Sequence, residues 1–278
     1  MPKWKEQYAN IAMILPAIIY VIAFSFYPSV DAVYESFQTP NRSFVLTNYK
    51  ELITFGVYHA IYNTIIVTIA ALAVQFTVAM IIATILTKEF RGKRYFQVSV
   101  LIPFSIATIV TVYAFSNIFQ TPGGYADTIL GVFGVKQLGW TYYHNYLLNV
   151  LALVLSDSWK NTPIVAIVLT AGMSSISPDI YAAAKVDGAG AISRFIHITL
   201  PNLSGYIAIA LIIRGISEFN IFAMALVIFP HVLLTTLAFG LYTETFVGQS
   251  YSAAVVLLAF ILVFAGIVTV YRSRSQVK

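Results

Sequence analysis

Long apolar runs, almost free of charge, alternate with short polar stretches along nearly the whole chain. Six runs are long enough to cross a hydrocarbon core of about 30 Å at about 1.5 Å rise per residue. They lie near Ile11–Val30, Ala60–Leu86, Tyr95–Phe119, Leu147–Ala171, Leu203–Ile228 and Ala253–Tyr271. The pattern predicts an all-α, polytopic membrane protein with six transmembrane helices in a single transmembrane domain over residues 1–278. The first run follows Lys3 and Lys5, and Ala23 with Ser25 imitates a signal-peptide cleavage site. The apolar stretch runs past that site to Phe26 and Tyr27, so an uncleaved first helix is expected.

One polar interruption, Ile180–Pro201, reads as ordered. Pro178 and Asp179 suit a helix start, and Ile180–Val186 favours helix through its three alanines. Gly188 and Gly190 supply a break, Ile192–Ile198 a second short helical piece, and Pro201 the first turn of the next span. A helical hairpin of this kind at a membrane surface is built to touch something.

Charge fixes the orientation. Lys3, Lys5, Lys88, Arg91, Lys93, Arg94, Lys185, Arg194, Arg272, Arg274 and Lys278 fall on one side, against Arg42, Lys50 and Lys136 on the other. By the positive-inside rule both termini and the Ile180–Pro201 loop face the cytoplasm. The outer loop Asp31–His59 is expected to carry a short helix or two. The outer loop Gln120–Asn145 sets glycine turns among Trp140, Tyr142 and Tyr143, an interfacial aromatic belt or a docking surface. Composition agrees: the chain is 59% hydrophobic and 10% charged, where soluble domains carry about 25% charge. The net charge of +5 sits in short loops beside apolar spans and gives no sign of nucleic acid as a partner. Without cysteine there is no disulfide framework, thiolate nucleophile or cysteine-ligated metal.

The polar loop carries a family resemblance. Ala182, Ala183 and Ala184, a three-residue spacer, Gly188, and nine residues later Ile198-Thr199-Leu200-Pro201 reproduce the cytoplasmic EAA-loop spacing of binding-protein-dependent ABC importer permeases, with Ala182 where glutamate is usual. Leu15-Pro16-Ala17, Tyr27-Pro28, Asn63-Thr64, Leu101-Ile102-Pro103, Trp159-Lys160 and Ala171-Gly172-Met173 resemble the sugar-type branch, the maltose and glycerol-phosphate permeases. Phe229-Pro230-His231 departs from the Gly-Gly-Pro common there, which leaves the substrate class open.

The resemblance implies a permease domain with a cytoplasmic coupling helix between spans four and five, in a multi-pass protein of the cell membrane. It implies half of a pore, completed by a second homologous permease as a heterodimer. Two ATPase subunits would hold ATP and Mg, with no cofactor on this chain, and an extracytoplasmic solute-binding protein would deliver a sugar or other small polar solute. Ala182, Ala183, Ala184, Asp187, Gly188, Ile198, Leu200 and Pro201 would couple to the ATPase.

Charges inside spans are costly and therefore candidates for function. Asp157 and Lys160, three apart, and Arg214 and Glu218, four apart, can each pair on one helical face. With Trp159, Asn161, Ser217, Asn220 and Tyr242, which can stack on or hydrogen-bond a sugar, they form the candidate substrate pathway. Packing roles for all of these stand beside that reading. No phosphate-cradling loop, HExxH motif or catalytic constellation occurs, so no enzyme activity is expected of this chain. An ion-coupled secondary transporter, a permease for a non-sugar solute and a membrane anchor remain alternatives.

Overall fold

The computed structural model describes residues 3–39, 41–135, 145–230 and 232–275. Trp140, Tyr142, Tyr143, Lys136 and His231 lie outside the described residues. Among the described residues helices carry the fold, and the pairing of Gln38 with Phe44 is an isolated bridge. They fall into two compact units: the chain up to Tyr58 with Leu237–Leu258, and His59–Thr236 with the chain from Ala259 on.

The first unit opens with α1 (Lys3–Val21), a π-turn over Ile22–Phe26 and α2 (Tyr27–Glu35). A second π-turn, Phe195–Thr199, has the same relation to a following proline. In each case the proline comes two residues after the turn, at Pro28 and Pro201. Proline offers no N–H to the carbonyl four residues back and crowds it, so the ladder widens there: Tyr27 N–H donates to Ile22, and Leu200 N–H to Phe195. Every side chain from Ile11 to Asp31 is exposed.

After α2 the chain turns into α3 (Thr47–Thr54). Asn48 holds the turn, its amide donating to the carbonyls of Ser36 at 3.0 Å and Gln38 at 2.9 Å. The Ser252 hydroxyl donates to the same Ser36 carbonyl at 3.1 Å. Leu52, Ser36, Ser252 and Ala253 are fully buried there.

The second unit contains α4 (Val57–Leu86) from His59 on, α5 (Lys93–Ser105), α6 (Thr108–Phe119), α7 (Tyr125–Val132) and α8 (Tyr146–Ser174). It continues through α9 (Pro178–Val186), α10 (Ala191–Arg194), α11 (Leu200–Phe219) and α12 (Ala223–Ile228). α13 (Leu234–Thr243) and α14 (Val247–Ser275) each pass from one unit to the other. α8 packs chiefly on α11 and α5. Glycines allow close approach at two places: a Cβ on Gly172 would meet the Tyr206 ring and Leu203 at 2.6 Å, and one on Gly215 would strike Phe264 at 2.1 Å. Small residues at such contacts are the usual means of packing helices in a bilayer.

Among the described residues four stretches of helix are long and apolar enough to cross a membrane: Ile11–Glu35, Val57–Leu86, Ala191–Ile228 and Val247–Ser273. Of the other two expected spans, Leu147–Ala171 lies within the continuous α8, and Tyr95–Phe119 is bent. Instead of one helix over Tyr95–Phe119, α5 and α6 meet at 90°, with Ile106 and Ala107 extended between them. Pro103 sits in the last turn before this break. α8 and α9 meet at 68°. α13, between the fifth and sixth runs, was not expected from the sequence.

Candidate functional site

Among the described residues two apolar clusters lie in the core of the second unit. One includes Ala71, Leu153, Val154 and Ala225; the other includes Ala79, Val165, Leu169 and Ala210. Along α4 and α8 the polar residues fall between them in sequence: Gln75 between Ala71 and Ala79, and Asp157 between Val154 and Val165. Arg214 and Glu218 on α11 complete the group. Arg214 is 5% exposed and Glu218 1%, and Gln75 is fully buried.

The four side chains make one network. Arg214 forms an ion pair with Glu218 through Nη2, and the same nitrogen lies 3.4 Å from Asp157 Oδ2. Arg214 Nε donates to Gln75 Oε1 at 3.1 Å. Gln75 Nε2 in turn donates to Glu218 Oε1 at 2.9 Å and to Asp157 Oδ2 at 3.1 Å. The amide is therefore fixed end for end, oxygen to the guanidinium and nitrogen to the carboxylates. Asn161 closes the edge by donating to Asp157 Oδ1 at 2.9 Å. Glu218 Oε2 alone is buried without a partner. A buried network of this kind, with one acceptor left open, ties together the helices that supply it.

The sequence pairing holds for Arg214 with Glu218 and fails for Asp157 with Lys160. Asp157 turns to Arg214 on the neighbouring helix. Lys160, 8% exposed, donates through Nζ to the carbonyl of Ile106. That carbonyl belongs to the extended break between α5 and α6, where no regular helix runs through. Non-helical backbone at membrane depth needs such a partner, because lipid offers none. Lys160 thus caps the break. Gln75 carries no charge and does not stand out among the ionisable residues; a lone glutamine amid the apolar Ala70–Phe76 is its signal in the sequence.

The uncharged candidates point elsewhere. Trp159 is 43% and Tyr242 57% exposed, and Ser217 and Asn220 are exposed as well. Ser217 and Asn220 each donate to a carbonyl four residues back, at 3.0 and 2.9 Å, which leaves their acceptors open. Trp159 tilts against Phe115 with ring centres 5.4 Å apart and borders an apolar groove of about 330 Å³ with Val74, Val78, Pro103 and Pro163.

The loop between α8 and α11 is tightly built. Ser177 caps α9 by accepting from Asp179 N–H, with Pro178 in the first helical position. At the other end Gly188 takes φ +79. Its N–H donates to Lys185 at 3.1 Å, and that of Ala189 to Ala184 at 2.9 Å, a complete Schellman closure. Tyr181 and Thr199 hydroxyls meet at 2.9 Å, and Arg194 donates to the Ala189 carbonyl at 2.7 Å. Its outward face is bare: Val186 is 88% and Ile192 77% exposed, and Ala182 and Ala183 are exposed beside them. Ile198 and Leu200 are half-buried and Pro201 exposed.

Comparison with known proteins adds to this geometry. The family described as "Binding-protein-dependent transport system inner membrane component" matches over residues 75–276. The trehalose/maltose transport system permease protein MalF of Thermococcus litoralis is 27% identical over 276 residues, 95% of this chain and 92% of that protein. The arabinooligosaccharides transport system permease protein AraP of Bacillus subtilis is 31% identical over 262 residues, 89% and 83% of the two. A chain of a bacterial ABC transporter involved in the import of the acidic polysaccharide alginate superposes with a TM-score of 0.81 at 20% identity, covering 97% of this chain and 96% of that one.

Proposed function

Because the chain belongs to the family of binding-protein-dependent transport system inner membrane components, we propose that it is one of two homologous permease subunits of a sugar importer, driven through the α9–π-turn loop by a pair of ATPase subunits. An extracytoplasmic binding protein delivers the solute, and both termini lie in the cytoplasm with the Lys/Arg-rich loops. The sugar class is supported by the trehalose/maltose and arabinooligosaccharide permeases among its relatives.

The observation that carries the coupling role is the contrast within one loop: a backbone closed at both ends under a bare apolar outer face. A rigid short helix can pass on a displacement, whereas a soft one would absorb it. Met173, Ile176, Thr199 and Leu203 are buried at the two ends of the loop and tie it to α8 and α11, so motion of α9 becomes motion of the two helices that hold the charged network. Solute passes along the exposed Trp159, Ser217 and Asn220 of the second unit rather than through the buried network.

Gly188→Asp tests this in the assembled transporter. The left-handed turn accepts aspartate at modest cost, so the subunit stays in the membrane with its partners. Saccharide uptake should fall at least tenfold while ATP hydrolysis continues. Uptake at the unaltered rate would refute the lever.

A further inference from the structure

In the first unit, α2 ends and α14 begins around a cavity of about 470 Å³ with mixed polar and apolar walls, within the range of about 300–1,000 Å³ typical of small-molecule sites. It lies at the ends of these helices remote from the chain termini, and Glu35, Gln38, Asn48, Phe246, Gln249 and Tyr251 are among its lining residues.

Gln38 gives the cavity its chemistry. It is 8% exposed, and its Oε1 is buried with no hydrogen-bond partner. An acceptor hidden from water and left unmade asks for a donor. Asn48 spends its two donors on the carbonyls of Ser36 and Gln38, so its oxygen is the atom that remains. Glu35 adds a carboxylate. The wall therefore sets the acceptors of Gln38, Asn48 and Glu35 beside the hydroxyls of Thr39, Thr245 and Tyr251 and the Gln249 amide, and suits a ligand whose groups both donate and accept. Phe246 and Tyr251 supply aromatic surface for an apolar ring face.

The backbone is shaped for this space. A Cβ at Gly248 would lie 2.7 Å from Asn48 Nδ2, so only glycine lets that wall close. Thr245, a β-branched residue, holds φ +71 in the cavity wall.

We propose that this cavity is a saccharide-binding subsite for one or two neutral sugar units, sharing no residue with the pathway assigned above. Hydroxyl groups supply the donors that Gln38, Asn48 and Glu35 lack, and the aromatic rings take the C–H face. The choice of sugar rests on the transport reading; the cavity and its unmade acceptor do not.

The full chain in lipid nanodiscs, titrated with maltose, trehalose and, as an amine probe, spermidine, tests the proposal by calorimetry and saturation-transfer NMR. One of the two sugars should bind, and Gln38→Met and Tyr251→Ala should each weaken it at least fivefold. Tyr251→Ala is decisive if the Gln38 variant melts early. Binding of neither sugar, equal affinity in the variants, or spermidine binding in place of sugar overturns the subsite. Saccharide uptake by the complete transporter is measured in parallel. Uptake without sugar binding in the cavity removes the subsite and keeps the importer, whereas binding without uptake removes the importer and keeps the subsite.

Discussion

The charged network of α4, α8 and α11 and the loop from Ser177 to Thr199 occupy one compact unit and are built on opposite plans. In the network the side chains are buried and bonded to one another, and Glu218 Oε2 alone is unmet. In the loop the backbone is saturated through its caps while the side chains above it stand bare. The first arrangement resists change; the second awaits a partner. Polar residues in a membrane chain thus divide by what satisfies them, and only those left open by the chain itself are candidates for contact with something else.

The comparison breaks most severely at Arg214. Arg214→Met leaves Asp157 and Glu218 facing each other without a cation, and removal of one partner from a buried ion pair costs about 3–5 kcal/mol. Far less folded protein should reach the membrane, read as recovery and thermal unfolding in detergent. Wild-type stability would show that the network is not closed. Lys160→Met strips the bond from the Ile106 carbonyl, at about 1–3 kcal/mol for a buried group left unmet. Amide exchange should rise selectively around residues 106–111, and exchange spread evenly over the unit would argue against the cap. Ser177→Ala is the mildest, about 1 kcal/mol at an N-cap. It should loosen the first turn of α9 in hydrogen exchange without shifting the global melting point, and a shift there would mean that the loop shares the stability of the network.

The sequence made the helical class and the loop legible for local reasons. Ser177-Pro178 and Gly188 are caps whose geometry is set within a few residues, and α9 spans Pro178–Val186 as their spacing implies. The six apolar runs were visible for the same reason, since hydropathy is read one segment at a time. The 90° break after Pro103 was not visible, because a proline inside an apolar run tells only that the ladder is weakened there. Nor was the exchange of partners at Asp157. Its i,i+3 neighbour Lys160 was the local choice, but Arg214, 57 positions away, lies beside it in the fold. Gln75 carries no charge and only its three long-range partners, Asp157, Glu218 and Arg214, reveal its part. The cavity lining was equally hidden, since Gln38 and Tyr251 meet only through the fold.

The placement of the four charges also bears on how the chain is laid into the bilayer during synthesis. α8 carries Asp157 with Lys160, and α11 carries Arg214 with Glu218, so the charged group on each of these helices is formally neutral by itself. A lone charge there would cost about 2.5–3.5 kcal/mol at insertion. Neither helix has to wait for the other before leaving the translocation machinery. In the folded chain Arg214 pairs with both Glu218 and Asp157, and Lys160 serves the bent third span. The order of synthesis and the final bonding pattern are thereby compatible without any span crossing as a net charge.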